Sequence, residues 1–219
     1  MQADELFCFV HTKQAHLDPD APKEWGDTYT WLALDSETKL ILSYHVGKRD
    51  GASAVEFVRD LSERIDPMHR PQITTDGFRP YVNAIEEYFG ANLDFAQLIK
   101  IYGRSESTAG EWHAPVEVVD AIPVVVTGNP KIERISTSHI ERMNLSVRMH
   151  LRRFTRLTSG FSKKLGHLKA AVSLLLCWYN FCRVHQTLRV TPAMESNLTD
   201  HIWTLEELLA ATQNTKQTS

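Results

Sequence analysis

The spacing of apolar residues changes along this chain, and the change limits the folds that the sequence can adopt. Up to about Asp50 the apolar residues form β-rich runs, and beyond Gly51 they recur at helical spacing with short β-rich runs between. The predicted strands are 4–10, 28–35, 39–46, 72–75 and 94–102, and the predicted helices between them are 55–65 and 79–89. Because helices follow to the end, this order predicts an α/β fold with a mixed sheet.

Composition and length indicate one soluble globular unit with a small appendage. The chain has 219 residues, of which 42% are hydrophobic and 23% charged. No apolar run reaches the roughly 18 to 20 residues that cross a bilayer, and the first residues lack the basic flank of a signal peptide. We therefore expect a cytoplasmic protein with no membrane partner. Cys8, Cys177 and Cys182 form no CxxC pair and are expected to stay reduced.

Charge is distributed unevenly along the chain. Residues 1–141 contain 13 basic and 23 acidic residues, whereas residues 142–194 contain ten basic residues and no acidic one. A long basic stretch without carboxylates in an otherwise acidic protein is typical of a surface that binds a polyanion. A solvated basic face is the alternative.

The basic stretch begins on a predicted amphipathic helix. Its apolar stripe predicts a helix of about 20 residues that begins near Ser136 or Ser138. At 100° per residue Glu141 lies about 120° from this stripe, and Arg148 and Arg152 lie within about 20° of Glu141. Together with Arg156 these arginines are predicted to form one row along the helix.

Three carboxylates stand out by position. Asp4 lies in an apolar strand, and Asp76 ends the short strand 72–75, where strand termini of α/β sheets present functional groups. Glu141 lies at the flank of the packed helix face. Asp35 also follows an apolar strand, but the sequence Asp35-Ser36-Glu37-Thr38 is better explained as hairpin chemistry. The carboxylate of Glu5 is expected to face away from that of Asp4.

Five sequence blocks occur in order from Asp4 to Met194. They are ADELFCFV, WLALDSETKLILSYHVGKRD, ITTDGFRPY, STSHIERMNLSVRMHLRRFTR with FSKK after it, and YNFCRVHQTLRVTPAM. The chain thereby resembles the catalytic domain of bacterial insertion-sequence DDE transposases, which belong to the RNase H-like superfamily with the integrases. The IER and YNxxRxH blocks are the specific ones.

The resemblance implies a fold and a domain organisation. The fold is an RNase H-like mixed five-stranded sheet flanked by helices, with an irregular insertion at about 103–134 before the Glu-bearing helix and a helical C-terminal part. The catalytic domain would span residues 1–194, and residues 195–219 would form a tail with a short helix.

The resemblance also implies the activity: Mg²⁺-dependent DNA strand cleavage and strand transfer at the ends of an insertion sequence. Asp4, Asp76 and Glu141 would be the catalytic residues and the ligands of two Mg²⁺ ions, for which Mn²⁺ can substitute. Hard carboxylate oxygens suit Mg²⁺, and two such ions clamp the attacking and leaving oxygens of a phosphoryl transfer.

Double-stranded DNA, from the transposon ends and the target, would be the partner of a homo-oligomer. The implied phosphate contacts are Arg142, Arg148, Arg152, Arg153, Arg156, Lys163 and Lys164. His139 is more simply a polar residue at a helix end than a metal or DNA contact. The polar residues of the YNxxRxH block either touch DNA or lock their helix to the sheet, and they are Tyr179, Asn180, Arg183 and His185.

The chain departs from the family at its start. Met1 lies three residues before Asp4, whereas relatives carry an N-terminal DNA-recognition segment. A second hypothesis is therefore a truncated, non-catalytic DNA-binding remnant or an inhibitory partner of a full-length transposase. A third, a nuclease of RNA–DNA hybrids, fits the basic C-terminal helices less well.

Overall fold

A computed structural model describes residues 1–66, 68–103, 117–155 and 158–214. The strands are β1 (Gln2–Val10), β2 (Gly26–Leu34), β3 (Ile41–Gly47), β4 (Gln72–Thr75), β5 (Asp94–Gly103) and β6 (Glu117–Thr127). The helices are α1 (Gly51–Glu63), α2 (Pro80–Phe89), α3 (Ser138–His150), α4 (Leu165–Phe181), α5 (Pro192–Glu195) and α6 (Leu205–Asn214). Among these helices none has both the length and the apolar character that a bilayer crossing requires.

The six strands form one mixed sheet in the order β3-β2-β1-β4-β5-β6. The first three strands are antiparallel neighbours, β4 pairs in parallel with β1 and β5, and β6 returns antiparallel along β5. The turn between β2 and β3 is held by Asp35, whose Oδ2 accepts hydrogen bonds from the Thr38 amide at 3.0 Å and the Thr38 hydroxyl at 2.6 Å. The predicted mixed sheet and the hairpin role of Asp35 are therefore confirmed.

The sheet has one strand more than the five that we expected. β6 lies in the segment 103–134 that was predicted to be an irregular insertion, and its pairing with β5 runs from Phe95 opposite Thr127 to Gly103 opposite Glu117. Pro123 is tolerated because β6 is an edge strand, which needs a hydrogen-bonding partner on one side only. Residues 104–116 of the expected insertion lie outside the described residues.

Helices cover both faces of the sheet. α1 and α2 pack on one face through a core that includes Trp31, Phe57 and Tyr81, all fully buried. α3 and α4 pack on the other face, where Leu6 of β1 contributes to their core. Since side chains alternate along a strand, the even-numbered residues of β1 face α3 and the odd-numbered ones face α1 and α2. Cys8 is buried, and Cys177 and Cys182 are partly buried.

The helix that carries Glu141 is shorter than predicted. α3 ends at His150, Leu151 adopts an extended conformation (φ −110°, ψ 107°), and a 3-10 turn follows over Arg152–Phe154. The break brings Phe154 into the core beneath α3, where it is 4% exposed. The prediction of one continuous helix of about 20 residues, with an arginine row along it, was therefore wrong. Arg156 lies outside the described residues.

Asn180 fastens α4 to the sheet. Its side-chain Nδ2 donates to the Ile41 carbonyl and its Oδ1 accepts from the Ile41 amide, both at 3.0 Å. This pair of hydrogen bonds satisfies the main chain at the start of β3, and Tyr179 beside it is buried in the core. These two residues of the YNxxRxH block therefore lock the helix to the sheet, which was one of the two alternatives.

Replacing Asn180 with alanine is expected to lower the free energy of unfolding by about 1 to 3 kcal/mol, since it removes the hydrogen-bond partners of both the amide and the carbonyl of the buried Ile41. The loss would appear as a lower urea midpoint with an unchanged slope. Asn83→Ala, at an exposed position of α2, is the control and should shift stability by no more than about 0.5 kcal/mol. Equal midpoints for the two variants would contradict this role of Asn180.

Candidate active site

Asp4 and Asp76 lie side by side although 72 positions separate them in sequence. Gln2 of β1 pairs in parallel with Thr74 of β4, so Asp4 is level with Asp76, the residue that follows β4. One carboxylate oxygen each from Asp4, Glu5 and Asp76 lies within 4.8 Å of the other two. The structure thus joins two of the three carboxylates predicted as ligands and adds a third that was predicted to face away.

Asp4 is half-buried between the sheet and α3. Its Oδ1 accepts from the Glu5 amide at 2.9 Å, and its Oδ2 accepts from the Asn144 side chain at 2.8 Å. Burial, and next the charge of Asp76, raise the pKa of Asp4 to about 6. Both hydrogen-bond donors are uncharged, so the negative charge of Asp4 has no cation in direct contact among the described residues.

Glu5 approaches the same point from the other face of the sheet. Its side chain is 2% exposed, and its Oε2 accepts from Arg49 Nε at 2.9 Å. Burial, and next the charge of Asp76, raise the pKa of Glu5 to about 7. The Tyr81 hydroxyl faces Glu5, but Oε1 of Glu5 meets the geometry of a hydrogen bond with no described residue. The side chains of Asp4 and Glu5 leave opposite faces of β1, as expected, yet both reach Asp76 because it lies beyond the end of β4.

Asp76 is the exposed member of this cluster, with a side chain that is 31% exposed. Its Oδ1 accepts from the Phe78 amide at 2.9 Å, and its Oδ2 accepts from Arg49 Nη2 at 3.2 Å. The Arg49 guanidinium lies 4.0 Å from the centre of the Phe78 ring. Arg49 thus links Glu5 to Asp76 and fixes the orientation of the Asp76 carboxylate.

Glu141 lies in the first turn of α3, outside the close cluster of the other three carboxylates. Its Oε1 accepts hydrogen bonds from Lys100 Nζ of β5 and from the Thr137 hydroxyl. The side chain is 44% exposed. Glu141 is near enough for its charge to contribute to the raised pKa of Asp4, while the charge of Lys100 opposes that rise. The structure therefore places Glu141 beside the cluster and pairs it with a lysine.

The cluster has the chemistry of a divalent cation site. Its carboxylate oxygens are hard ligands of the kind that Mg²⁺ prefers. Burial is the main cause of the raised pKa values of Asp4 and Glu5, and the charge of Asp76 adds to both, so the three acidic side chains repel one another at a partly buried point. A cation at this point would relieve that repulsion.

The residues predicted as phosphate contacts have different surroundings. Arg153 Nη1 donates to the Ser162 hydroxyl at 3.0 Å and so holds the loop beside the end of β1. Lys163 Nζ lies 3.9 Å from the centre of the Phe161 ring. Arg148 is half-buried, and the exposed members of the set are Arg142, Arg152, Lys163 and Lys164.

Three residues that contact the carboxylates from distant parts of the chain were not predicted from the sequence. Arg49, Lys100 and Asn144 each meet their partner across a long separation in sequence. Only Asn144 could have been predicted from the sequence, because it follows Glu141 by three positions and so lies near it on the helix. Asp35, the rival first ligand, stays in its hairpin and is not part of the cluster.

Comparison with known proteins identifies one segment of the chain. Residues 24–107 match the model of a family described as DDE domain. This segment starts just before β2 and extends beyond β5, and it contains Asp76 and Lys100 but neither Asp4 nor Glu141. A search of curated proteins found no match.

Proposed function

We propose, on the premise that residues 24–107 belong to an insertion-sequence DDE transposase domain, that this protein cleaves and joins DNA strands at insertion-sequence ends with Mg²⁺ or Mn²⁺. The family match supports a transposase function in general terms, and the mixed six-stranded sheet with flanking helices is consistent with an RNase H-like DDE domain. The single observation that carries the finer proposal is the close approach of the Asp4 and Asp76 carboxylates.

Asp4 and Asp76, together with Glu141, would hold the metal ions. When bound, a pair of divalent ions would lower the pKa of the attacking water or hydroxyl group and stabilise the charge on the leaving oxygen of an in-line displacement. Asn144 orients the carboxylate of Asp4 and Arg49 that of Asp76. Lys100 holds Glu141 through an ion pair that is partly exposed, and such a pair contributes only about 0 to 1 kcal/mol and opens readily.

The proposed reaction has two steps at phosphorus. In cleavage, a water oxygen bonds to the phosphorus, the bond to the 3′ oxygen breaks, and that oxygen leaves with a proton as a 3′-hydroxyl. In joining, this 3′-hydroxyl attacks a phosphodiester of the target, and the target's own 3′ oxygen leaves. No bond to the protein forms in either step. The contribution of the protein is therefore to position the DNA and to stabilise charge.

The basic residues after Glu141 are proposed to contact the phosphates beside the scissile bond. Exposed members of the set such as Arg152 and Lys164 are accessible to a duplex, and Arg153 would serve by holding its loop. Such contacts position a duplex but do not read its sequence. Assembly as a homo-oligomer on DNA stays a prediction.

A cleavage assay tests the proposed function. Supercoiled plasmid that carries the DNA flanking the gene on both sides is incubated with the full chain in Mg²⁺, Mn²⁺ or EDTA, and nicked and joined products are measured. We expect metal-dependent products for the unmodified protein and a loss of at least about a hundredfold in rate for Glu141→Gln, since removing one charge-stabilising group typically costs that much.

Glu133→Gln is the matched control, because Glu133 is an exposed acid eight positions earlier, and it should retain the full rate. DNA binding that falls with salt, without metal-dependent products, would overturn the proposal in favour of a non-catalytic DNA-binding protein. Equal rates for Glu141→Gln and the unmodified protein would refute the assignment of Glu141.

A further inference from the structure

A cleft of about 490 Å³ lies on the side of α3 away from Glu141. Its walls come from the start of α3, from the turn between β2 and β3, and from the segment that follows α4. The basic and imidazole side chains that line it are Lys39, His139, Arg142, Arg183 and His185, and no carboxylate lines it among the described residues. Two of these side chains, Arg183 and His185, are the members of the YNxxRxH block that do not hold α4 to the sheet.

The charged side chains of the cleft act on its histidines. The pKa of His185 is lowered, first by burial and then by the charges of Lys39 and Arg183, and Arg142 and His139 add to the effect. Lys39 Nζ lies 3.4 Å from His139 Nε2. Within the described residues none of Lys39, Arg142 and Arg183 forms an ion pair. The cleft therefore concentrates positive charge that the protein itself leaves without a direct counter-ion.

The nearest acidic side chains, Asp35 and Glu37, are bound to residues outside the set of cleft cations. Burial lowers the pKa of Lys39, and the charges of Asp35 and Glu37 in the hairpin turn offset this fall only in part. Asp35 is bound to Thr38, and Glu37 pairs with Arg134 at 2.9 Å. Arg183 is held near the rings of Trp178 and Tyr179, 5.7 Å and 5.9 Å from their centres. The side chain is thus positioned before any ligand arrives.

We propose that this cleft binds a backbone phosphate of the DNA, with Arg183, Lys39 and Arg142 as its main contacts. The inference rests on the proposed function and adds to it a second contact point, separated from the carboxylates by the width of α3. An α-helix is about 10 to 12 Å across with its side chains, and duplex DNA carries a charge about every 1.7 Å along its axis. The separation is therefore short enough for one duplex to contact both points.

The cleft also explains part of the charge pattern in sequence. Arg142, Arg183 and His185 all come from the stretch 142–194 that lacks acids, and α4 folds that stretch back so that its two ends meet. A carboxylate at these positions would neutralise the cleft and repel a phosphate. The cleft thus accounts for the lack of acids near the two ends of the stretch, where Arg142, Arg183 and His185 lie.

DNA binding without metal tests the proposal. The affinity of the full chain for a fluorescein-labelled 20-base-pair duplex is measured by anisotropy in EDTA at several salt concentrations. We expect Arg183→Gln to weaken binding about tenfold and to reduce the slope of log affinity against log salt by about 1, the value for one lost phosphate contact. Lys39→Gln should do the same, and the double variant should lose little more slope than either single variant.

Arg189→Gln is the matched control, because it removes the same charge at an exposed position that does not line the cleft, and its slope should equal that of the unmodified protein. Equal slopes for Arg183→Gln and Arg189→Gln, at unchanged melting temperatures, would overturn the cleft as a phosphate site. Metal-dependent cleavage by the same protein would then leave the proposed function standing. Failure of the unmodified protein to bind the duplex would overturn both.

Discussion

Replacing Asp76 with asparagine is expected to reduce metal-dependent DNA cleavage by about a thousandfold or more. A metal ion supplies several kcal/mol of transition-state stabilisation, and each 1.36 kcal/mol corresponds to a tenfold change in rate. Asparagine keeps the size of the side chain and its acceptor for the Phe78 amide, but it removes a charged ligand. The measurement is a single-turnover cleavage rate at saturating Mg²⁺.

Folding should survive this substitution. The charge of Asp76 raises the pKa values of both Asp4 and Glu5, so the loss of that charge relieves repulsion and offsets the lost contact with Arg49. The melting temperature of Asp76→Asn without metal should therefore be equal to or above that of the unmodified protein. Asp120→Asn, an exposed aspartate on β6, is the control and should keep the full rate. A cleavage rate for Asp76→Asn within tenfold of the control would refute the role of Asp76.

Local patterns were sufficient to predict most elements of the fold. The strand predicted at 72–75 coincides with β4, and the helix predicted at 79–89 differs from α2 by one residue. Such segments can be predicted because the spacing of apolar residues indicates which face of a single helix or strand is buried. The positions of Asp4 and Asp76 followed from the same patterns, since each was defined by its own strand.

The ends and partners of elements were harder to predict. Leu151 and Phe154 continue the helical spacing of α3, yet the chain leaves the helix at Leu151. The local spacing is the same in two cases. In one the helix continues, and in the other a 3-10 turn brings the same apolar residue, Phe154, into the core. β6 was missed for a related reason, because its stability depends on β5 rather than on its own alternation.

The side chains that contact the carboxylates of the candidate site come from distant parts of the chain, so these contacts depend on how the strands pair. Lys100 reaches Glu141 only because β5 lies two strands from β1 in the sheet, and Arg49 reaches both Glu5 and Asp76 from the loop after β3. Alternation along β1 correctly assigns Glu5 to the face opposite Asp4, and it cannot show that both carboxylates converge on a residue beyond the end of the neighbouring strand. The mutual repulsion of these carboxylates is therefore stronger than the sequence indicated.

The burial of these carboxylates, together with their mutual repulsion, makes stability depend on pH. The pKa of Asp4 rises from 3.8 to about 6 on folding, and that of Glu5 from 4.5 to about 7. Between pH 4 and 7 the folded state therefore holds protons that the unfolded state has released, so the free energy of unfolding should fall as the pH rises through this window. Below about pH 4 both states are protonated, and the penalty is absent.

Glu5→Gln is expected to remove much of this pH dependence. At pH 8 it should raise the free energy of unfolding by about 3 kcal/mol, since the pKa of Glu5 rises from 4.5 to about 7 and each unit corresponds to 1.36 kcal/mol, and near pH 4 it should have little effect. Glutamine can still accept the hydrogen bond from Arg49, and the exposed Glu24→Gln serves as the control. Urea titrations from pH 4 to 8 without metal measure the effect, and parallel pH profiles for the two variants would contradict it.

Binding of Mg²⁺ should stabilise the folded state, as Glu5→Gln does, and we expect the ion to bind mainly through Asp4 and Asp76. Because ligands bind a metal in their deprotonated form, 10 mM Mg²⁺ should raise the melting temperature clearly at pH 8 and little at pH 5, where Asp4 still holds its proton in the folded state. Asp4→Asn should abolish the Mg²⁺ response, while Glu5→Gln should retain part of it, since Asp4 and Asp76 remain. If Asp4→Asn responds to Mg²⁺ as fully as the unmodified protein does, the ion binds elsewhere, and the negative charge at the end of β4 has a different purpose.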